Sequence, residues 1–176
     1  SNKLFLEIIS SETNPRPILL LMNDTNVLGN FIPDFKKIIG LIQHDMYHHY
    51  TVDEHTFFAI SNAHELKNDS SNFGTELISK LIFEIDRFDL LTVSLFLHDI
   101  AKGIEGDHSL NGSKIAKNLC LRLGLKNDDA EIVSWCVLNH LYLSETAFRY
   151  DLNDKKIIEK STRKINSIKK LNLLFV

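Results

Sequence analysis

One segment near the middle of the chain places the tightest constraint on the fold. From Leu90 to Ala101 nearly every residue is apolar on all sides of a helix, so the segment must be buried. We expect a central helix over about Asp89 to Lys102, with Asp89 as its N-cap and a stop at Gly103. The 176 residues include only 7 glycines and 3 prolines, about half of the roughly 12% that is usual, which favours long helices. The sequence therefore predicts an all-α bundle around one buried helix.

Apolar residues recur at intervals of three and four in three other places, and each pattern predicts a helix with one buried face. The patterns run through Phe35, Ile38, Ile39 and Ile42, through Val52, Ala59, Ile60 and Ala63, and through Ile132, Val133, Cys136 and Val137. Two more helices are expected over Ser109 to Leu123, ended by Gly124, and over Asp154 to Ile165. The length fits a single domain over residues 1–176. Because the chain begins with Ser1, we expect it to be a fragment of a larger polypeptide.

Charge and composition exclude several classes of protein. The chain has 20 basic and 23 acidic residues, a net charge of −3, so net charge alone gives no reason to expect binding to nucleic acid or an anionic membrane. It contains no apolar run long enough to span a bilayer and no secretory signal, so we expect a cytoplasmic protein. Cys120 and Cys136 lie among apolar residues without CxxC spacing, which predicts buried thiols. The basic residues from Lys155 to Lys170 form either a solvated face or a docking surface for an acidic partner.

The pair His98-Asp99 follows directly on the apolar run and is the first candidate for chemistry. An imidazole and a carboxylate in the driest part of a fold cost several kcal/mol unless something compensates. Two explanations are open for the pair alone: a hydrogen-bonded couple, or a divalent cation bound by nitrogen and oxygen ligands.

Three more histidines change that balance. His55, His108 and His140 each fall on the inward face of a separate predicted helix, and several imidazoles around a carboxylate favour a metal site. Lys102, four residues after His98, shares its helix face and either binds a phosphate oxygen or faces solvent. His64 is expected to be solvated. A weaker possible metal site is formed by His44, Asp45, His48 and His49.

Several sequence blocks carry a resemblance to a known family. They are GNFIPDF (29–35), QHDMYHHYTVDEHT (43–56), LFLHDIAKG (95–103), GDHS (106–109) and RYD (149–151). The order of a histidine, an adjacent His-Asp pair and further histidines resembles the HD superfamily of metal-dependent phosphohydrolases. In order and spacing the blocks resemble more closely the central HD domain of bifunctional protein-PII uridylyltransferase/uridylyl-removing enzymes, the GlnD family. The likeness runs from about Met22 to the end of the chain.

The resemblance implies an all-α HD domain that removes UMP from uridylylated PII, a nitrogen-signalling protein modified on a tyrosine. It implies one or two divalent metal ions, Mn, Mg or Fe, held by residues that carry over from the family. These ligands are His55, His98, Asp99, His108 and His140. If two ions bind, Asp99 would bridge them and His108 would complete the second site, while Lys102 and Arg149 would hold phosphate oxygens.

The chain also departs from the family pattern. HD domains usually close the metal site with a further aspartate, which the resemblance places beyond Val176, and Tyr150 stands where the family commonly has a second arginine. Neither a nucleotidyltransferase domain nor an effector-sensing domain is recognisable, so we expect other domains of the same enzyme as partners. Two alternatives stay open: an HD phosphohydrolase that acts on a small nucleotide, and a non-catalytic regulatory module.

Overall fold

The computed structural model of the protein describes residues 1–42, 50–68 and 76–176, and over these ranges it is helical without strands. The α-helices in chain order are α1 (Asn2–Ile9), α2 (Arg16–Asp24), α3 (Val27–Phe31), α4 (Val52–Asn68), α5 (Glu76–Phe83), α6 (Phe88–Leu97), α7 (His108–Leu123), α8 (Asn127–Asn139), α9 (Tyr142–Arg149), α10 (Lys155–Ile165) and α11 (Ile168–Phe175). A short 3₁₀ helix spans Phe35–Lys37. The prediction of an all-α bundle is confirmed.

Helix α6 is the predicted central helix, and most of its residues are buried. It is shorter than expected, because it ends at Leu97 and His98 is its C-cap. Beyond that point the amides of Ile100 and Lys102 donate to the carbonyl oxygens three residues earlier, so the chain continues in tighter turns. Asp89 is not the N-cap either, since the helix begins one residue earlier, at Phe88. The Asp89 carboxylate instead pairs with Arg87.

Aromatic side chains connect the N-terminal elements to α6. The ring of Phe96 stacks on Phe35 with 4.9 Å between ring centroids and meets the edge of Phe5 at 5.6 Å. Phe35 in turn stacks on Phe57 of α4 at 5.8 Å. These contacts hold α1, the 3₁₀ helix and α4 on one side of the central helix, where aromatic burial contributes the most apolar area per residue.

Local signals account for where several helices begin and end. Asp107 caps α7 by accepting a hydrogen bond from the Leu110 amide, and Gly124 ends that helix in the left-handed region at φ +104°. Asp154 caps α10 in the same way. The predicted helix over residues 35–42 is wrong beyond its first turn, because Gly40 adopts φ +67° and turns the chain away.

Two further expectations meet a definite outcome, and a third concerns residues that the structure does not describe. His64 was expected in solvent but is only 1% exposed, and its ring meets the edge of Phe88 at 4.9 Å. Cys120 and Cys136 are free, buried thiols, as predicted, and burial raises the pKa of Cys120 to about 12 and that of Cys136 to about 11. The weaker candidate metal site at residues 44–49 lies outside the described residues.

Within the described ranges, no helix combines the length and the apolar character that crossing a membrane requires.

Candidate metal centre

Four helices bring the predicted histidines to one place. His98 and His140 are the C-cap residues of α6 and α8, His108 is the first residue of α7, and His55 lies in the first turn of α4. Successive ring centroids lie 5.3 Å apart from His55 to His98, 5.5 Å from His98 to His140 and 5.5 Å from His140 to His108. The structure thus places all four imidazoles in one continuous row.

Two of these rings are oriented by the same backbone device. The Nδ1–H of His98 donates to the Leu95 carbonyl oxygen, and the Nδ1–H of His140 donates to the Val137 carbonyl oxygen, each at 2.7 Å. A carbonyl oxygen only accepts, so the hydrogen of each neutral ring sits on Nδ1. Nε2 of His140 is then left with a free lone pair and no hydrogen-bond partner, as in a histidine that is oriented for a metal, whereas Nε2 of His98 lies 3.0 Å from Asp99 Oδ2.

Asp99 occupies the middle of the row and is only 2% exposed. Its Oδ2 lies 3.0 Å from His98 Nε2 and 2.8 Å from Lys102 Nζ, and its Oδ1 lies 3.6 Å from His140 Nε2. Burial acts to raise the pKa of this carboxyl, but His98 and Lys102 outweigh it and hold the pKa well below its usual range. Asp99 is therefore an ionised carboxylate inside the fold.

The ligand atoms form two overlapping groups that share Asp99. One group contains His55, His98 and Asp99, and the other contains Asp99, His108 and His140; within each group the ligand atoms lie within 4.8 Å of one another. Imidazole nitrogen and carboxylate oxygen suit divalent Mn, Fe, Mg or Zn. Asp99 therefore belongs to both groups of potential ligands.

Unsatisfied polar atoms test whether a metal fits these residues. Asp99 Oδ1, His108 Nε2 and His140 Nε2 are all buried and have no hydrogen-bond partner. Leaving such atoms unpaired costs about 1–3 kcal/mol each, and more for a charged group. A divalent cation among them would satisfy all three at once, so the donor set fits a metal ion.

Burial also favours the neutral form of the His140 ring, which is the form that binds a metal. The pKa of His140 is lowered chiefly by the loss of hydration, which the Val137 carbonyl offsets only in part, and the neighbouring rings of His98 and His108 lower it further. A neutral ring needs no proton to be displaced before it binds a metal.

Close packing between helices sets the distance between His108 and His140. Gly112, one turn after His108, lies against Val137 of α8, and a Cβ at this glycine would come within 3.2 Å of the Val137 side chain. The absence of a side chain lets α7 and α8 approach each other at this point. Gly103 plays a similar role after the His98-Asp99 turn, since a Cβ there would lie 2.5 Å from the Lys37 carbonyl oxygen.

A cavity of about 320 Å³ opens beside the metal ligands. Lys102 lines it, and its side chain is only 12% exposed where it bonds to Asp99. Sequence reasoning missed another part of the lining, the apolar residues at the end of the chain: Leu173, Leu174 and Val176. No signal marks them, because their register over the site depends on the path of three preceding helices.

Arg149 does not line this cavity. The structure places it at the end of α9, in a separate cavity that also contains Lys160 and Lys164. The expectation that Arg149 holds a phosphate oxygen beside the metal ligands rests on sequence order alone, and sequence order does not fix how α9 is oriented.

Asp53 is a second residue that sequence reasoning missed. Its buried carboxylate accepts hydrogen bonds from the Asn23 side-chain amide at 2.9 Å and from the Gly40 backbone amide at 3.1 Å. It thereby ties the start of α4, two residues before His55, to α2 and to the turn at Gly40. The available signal was an acidic residue in the first turn of a helix.

The chain is similar to known proteins of one family. Residues 52–171 match the HD domain family, a range that includes every predicted ligand. Three curated relatives bear the name bifunctional uridylyltransferase/uridylyl-removing enzyme. The relative from Zymomonas mobilis is 45% identical over 175 residues, that from Azospirillum brasilense 43% over 176, and that from Novosphingobium aromaticivorans 41% over 176. These alignments cover 99–100% of this chain and 19% of each relative, so the chain spans about a fifth of their length.

Proposed function

The chain belongs to the HD domain family, and on that premise we propose that it is a metal-dependent phosphodiester hydrolase that removes UMP from a uridylylated PII protein. The proposed substrate is supported by the names of three relatives that match the chain along its whole length. Because those relatives are about five times longer, we further propose that other domains of the same enzyme accompany this one.

One observation carries the metal-dependent part of the proposal. Three buried ligand atoms, Asp99 Oδ1, His108 Nε2 and His140 Nε2, lack a protein partner and lie together. A hydrogen-bonded His-Asp couple would explain His98 alone, since its Nε2 pairs with Asp99 Oδ2. It would leave the other three atoms unexplained, which is why a cation is the better account.

In the proposed site, His55, His98 and Asp99 would hold one divalent ion, and Asp99, His108 and His140 would hold a second if two bind. Ions bound there would acidify a water molecule and neutralise charge on the phosphoryl group. The backbone bonds to Leu95 and Val137 keep the rings of His98 and His140 turned toward Asp99. These residues therefore act as fixed ligands before any substrate arrives.

The reaction itself is a hydrolysis of one phosphorus–oxygen bond. A water oxygen bonds to phosphorus, the bond from phosphorus to the side-chain oxygen of the protein breaks, and one proton of the water goes to that oxygen. Lys102 lines the cavity with its ammonium group 2.8 Å from Asp99 Oδ2. We assign Lys102 the binding of a phosphate oxygen, an interaction that gains strength as negative charge builds there. Arg149 receives no role at this site.

The proposal is tested by UMP release from uridylylated PII with added Mn²⁺. We expect His98→Ala and Asp99→Asn to lose bound metal and to lower the rate at least a hundredfold. We expect Lys102→Ala to keep the metal and lower the rate about a hundredfold, as loss of a charge-stabilising donor does. Lys114→Ala removes an exposed lysine from α7 and is the matched control.

Each alternative function gives a different result in the same assay. A hydrolase for a small nucleotide would release product from free nucleotides and not from uridylylated PII. A regulatory module would show no metal-dependent turnover with either substrate, including in a form extended past Val176. Unchanged metal content and hydrolysis in His98→Ala would sink the metal-centre assignment itself.

A further inference from the structure

A second cavity lies away from the metal ligands, between α9, α10 and α11. Its volume is about 710 Å³, and it is open and mostly apolar. Among the side chains that line it, Ile158, Ile168, Leu171 and Phe175 are exposed, with Ile168 at 77%. We call this cavity the C-terminal groove. Contiguous exposed apolar surface of this kind marks interaction sites in proteins.

The C-terminal groove is continuous with a basic cavity. Thr146 and Ile157 line both, and the second cavity, of about 240 Å³, contains Arg149, Lys160 and Lys164. Glu145 is the acidic side chain that lines it. Within the described part of the chain, no ion pair involves any of these three cations. One end of the groove therefore offers unpaired positive charge beside apolar surface.

One of the basic side chains, Lys164, is held in position by an aromatic ring. The Lys164 ammonium lies 4.0 Å from the centroid of the Tyr142 ring, and the Tyr142 hydroxyl forms a hydrogen bond with the Ser161 hydroxyl at 2.9 Å. A cation over an aromatic ring loses less freedom when it then binds an anion. This contact favours recognition of carboxylates at the rim of the groove.

Helix α11 is the wall between the groove and the metal centre. Ile168, Leu171 and Phe175 face the groove, whereas Leu173 and Leu174 line the cavity beside the metal ligands. A protein bound in the groove would thus sit one helix away from the proposed site of hydrolysis.

We infer that the C-terminal groove docks the protein substrate through an amphipathic segment whose apolar side chains fill the groove and whose carboxylates meet Lys160 and Lys164. The inference rests on the proposed function, because it assigns the groove to the substrate of that same site. A docking site away from the phosphorus–oxygen bond that reacts raises the affinity for uridylylated PII without altering the chemistry at phosphorus.

The test separates docking from hydrolysis by measuring them on different molecules. Binding of uridylylated PII to the 176-residue protein is measured as a Kd, and hydrolysis is measured on bis(p-nitrophenyl) phosphate, which has no protein part. We expect the double variant Ile158→Glu, Ile168→Glu to weaken binding at least tenfold, as loss of central apolar contacts does at interfaces. We expect Lys160→Glu to weaken it about threefold to tenfold, and less at high salt.

The control variant is chosen to match the exposure of the groove residues. Ile158, Ile168 and Lys160 are exposed, so the fold should tolerate the changes, and Leu4→Glu alters an equally exposed apolar residue on α1. Support requires weaker PII binding with diester hydrolysis unchanged. A Kd within twofold of the unmodified chain, or no binding of PII at all, would overturn the inference. So would a change of oligomeric state in the groove variants, because the groove would then join copies of this chain. A failure of UMP release alone would count against the proposed function and leave the Kd comparison intact.

Discussion

The metal-centre region, helices α6 to α8, and the C-terminal region, helices α9 to α11, differ in which of their groups lack a partner. In the first, apolar side chains are largely buried while polar atoms of Asp99, His108 and His140 lack partners. In the second, apolar side chains such as Ile168 stay exposed, and no buried polar atom among the described residues is left without a partner. The unpartnered polar atoms are the basis for the proposed cation site, and the exposed apolar surface is the basis for the proposed docking of a protein segment.

The largest effect should come from comparing one phenylalanine in each region. Phe96 of α6 is 1% exposed and stacks on Phe35, whereas Phe148 of α9 is 91% exposed. We expect Phe96→Ala to lower the free energy of unfolding by about 3–5 kcal/mol. Phe148→Ala should change it by no more than about 0.5 kcal/mol. Urea unfolding of both variants measures the difference, and similar losses in the two would show that α9 belongs to the core.

Metal addition should stabilise the first region alone. An ion that binds only the folded protein adds about 2.7 kcal/mol when its concentration is a hundred times its Kd. We expect Mn²⁺ to raise the melting temperature of the unmodified protein and of Ile158→Glu alike, because Ile158 lines the C-terminal groove. The rise should disappear in Asp99→Asn, which weakens the ligand shared by both groups. An equal rise in Asp99→Asn would place the ion elsewhere.

Substitution of Gly103 should separate close packing from metal binding. A Cβ at Gly103 would overlap the Lys37 carbonyl oxygen, which is backbone and cannot move aside freely. We expect Gly103→Ala to cost about 2 kcal/mol and to weaken metal binding, since the glycine follows the turn that carries Asp99. Gly112→Ala is the matched control: its contact with Val137 is partly offset by a gain of about 1 kcal/mol in helix propensity. Equal costs at both glycines would contradict this account.

The same contrast explains what could be predicted from the sequence. The histidines of the candidate metal centre could be selected from the sequence because each lies at a recognisable position, such as His98 at the end of an all-apolar run or His140 on an apolar stripe. Apolar periodicity and the free-energy cost of burying a polar group can both be judged from the local sequence, so they can be used without knowledge of the tertiary structure. The helix ends at Gly124 and Asp154 were predictable for the same reason.

The failures concern what local pattern does not encode. The burial of His64 depends on the packing of Phe88 from another helix, and the placement of Arg149 depends on how α9 turns after His140. The central helix was predicted one turn too long because apolar character continues through Ile100 and Ala101 after the hydrogen-bonding pattern has changed. An apolar residue is equally suited to a buried helix and to a buried turn.

His64 sharpens the comparison with the smallest expected effect, because it has unpartnered ring nitrogens yet belongs to neither ligand group found among the described residues. Burial is the largest effect and lowers its pKa; the Glu12 backbone opposes it in part, and the charge of Lys67 adds a smaller lowering. The unfolded chain therefore takes up a proton near pH 6.5 that the folded chain takes up only at lower pH, so stability falls as the pH drops below about 6.5. One proton contributes at most about 1.4 kcal/mol per pH unit.

We expect urea unfolding of His64→Leu between pH 7.5 and about pH 5 to show a smaller change of the free energy of unfolding with pH than the unmodified protein shows. The Mn²⁺-dependent rise in melting temperature should not change. An unchanged profile would mean that His64 titrates alike in both states; a lost response to Mn²⁺ would instead join it to the metal centre.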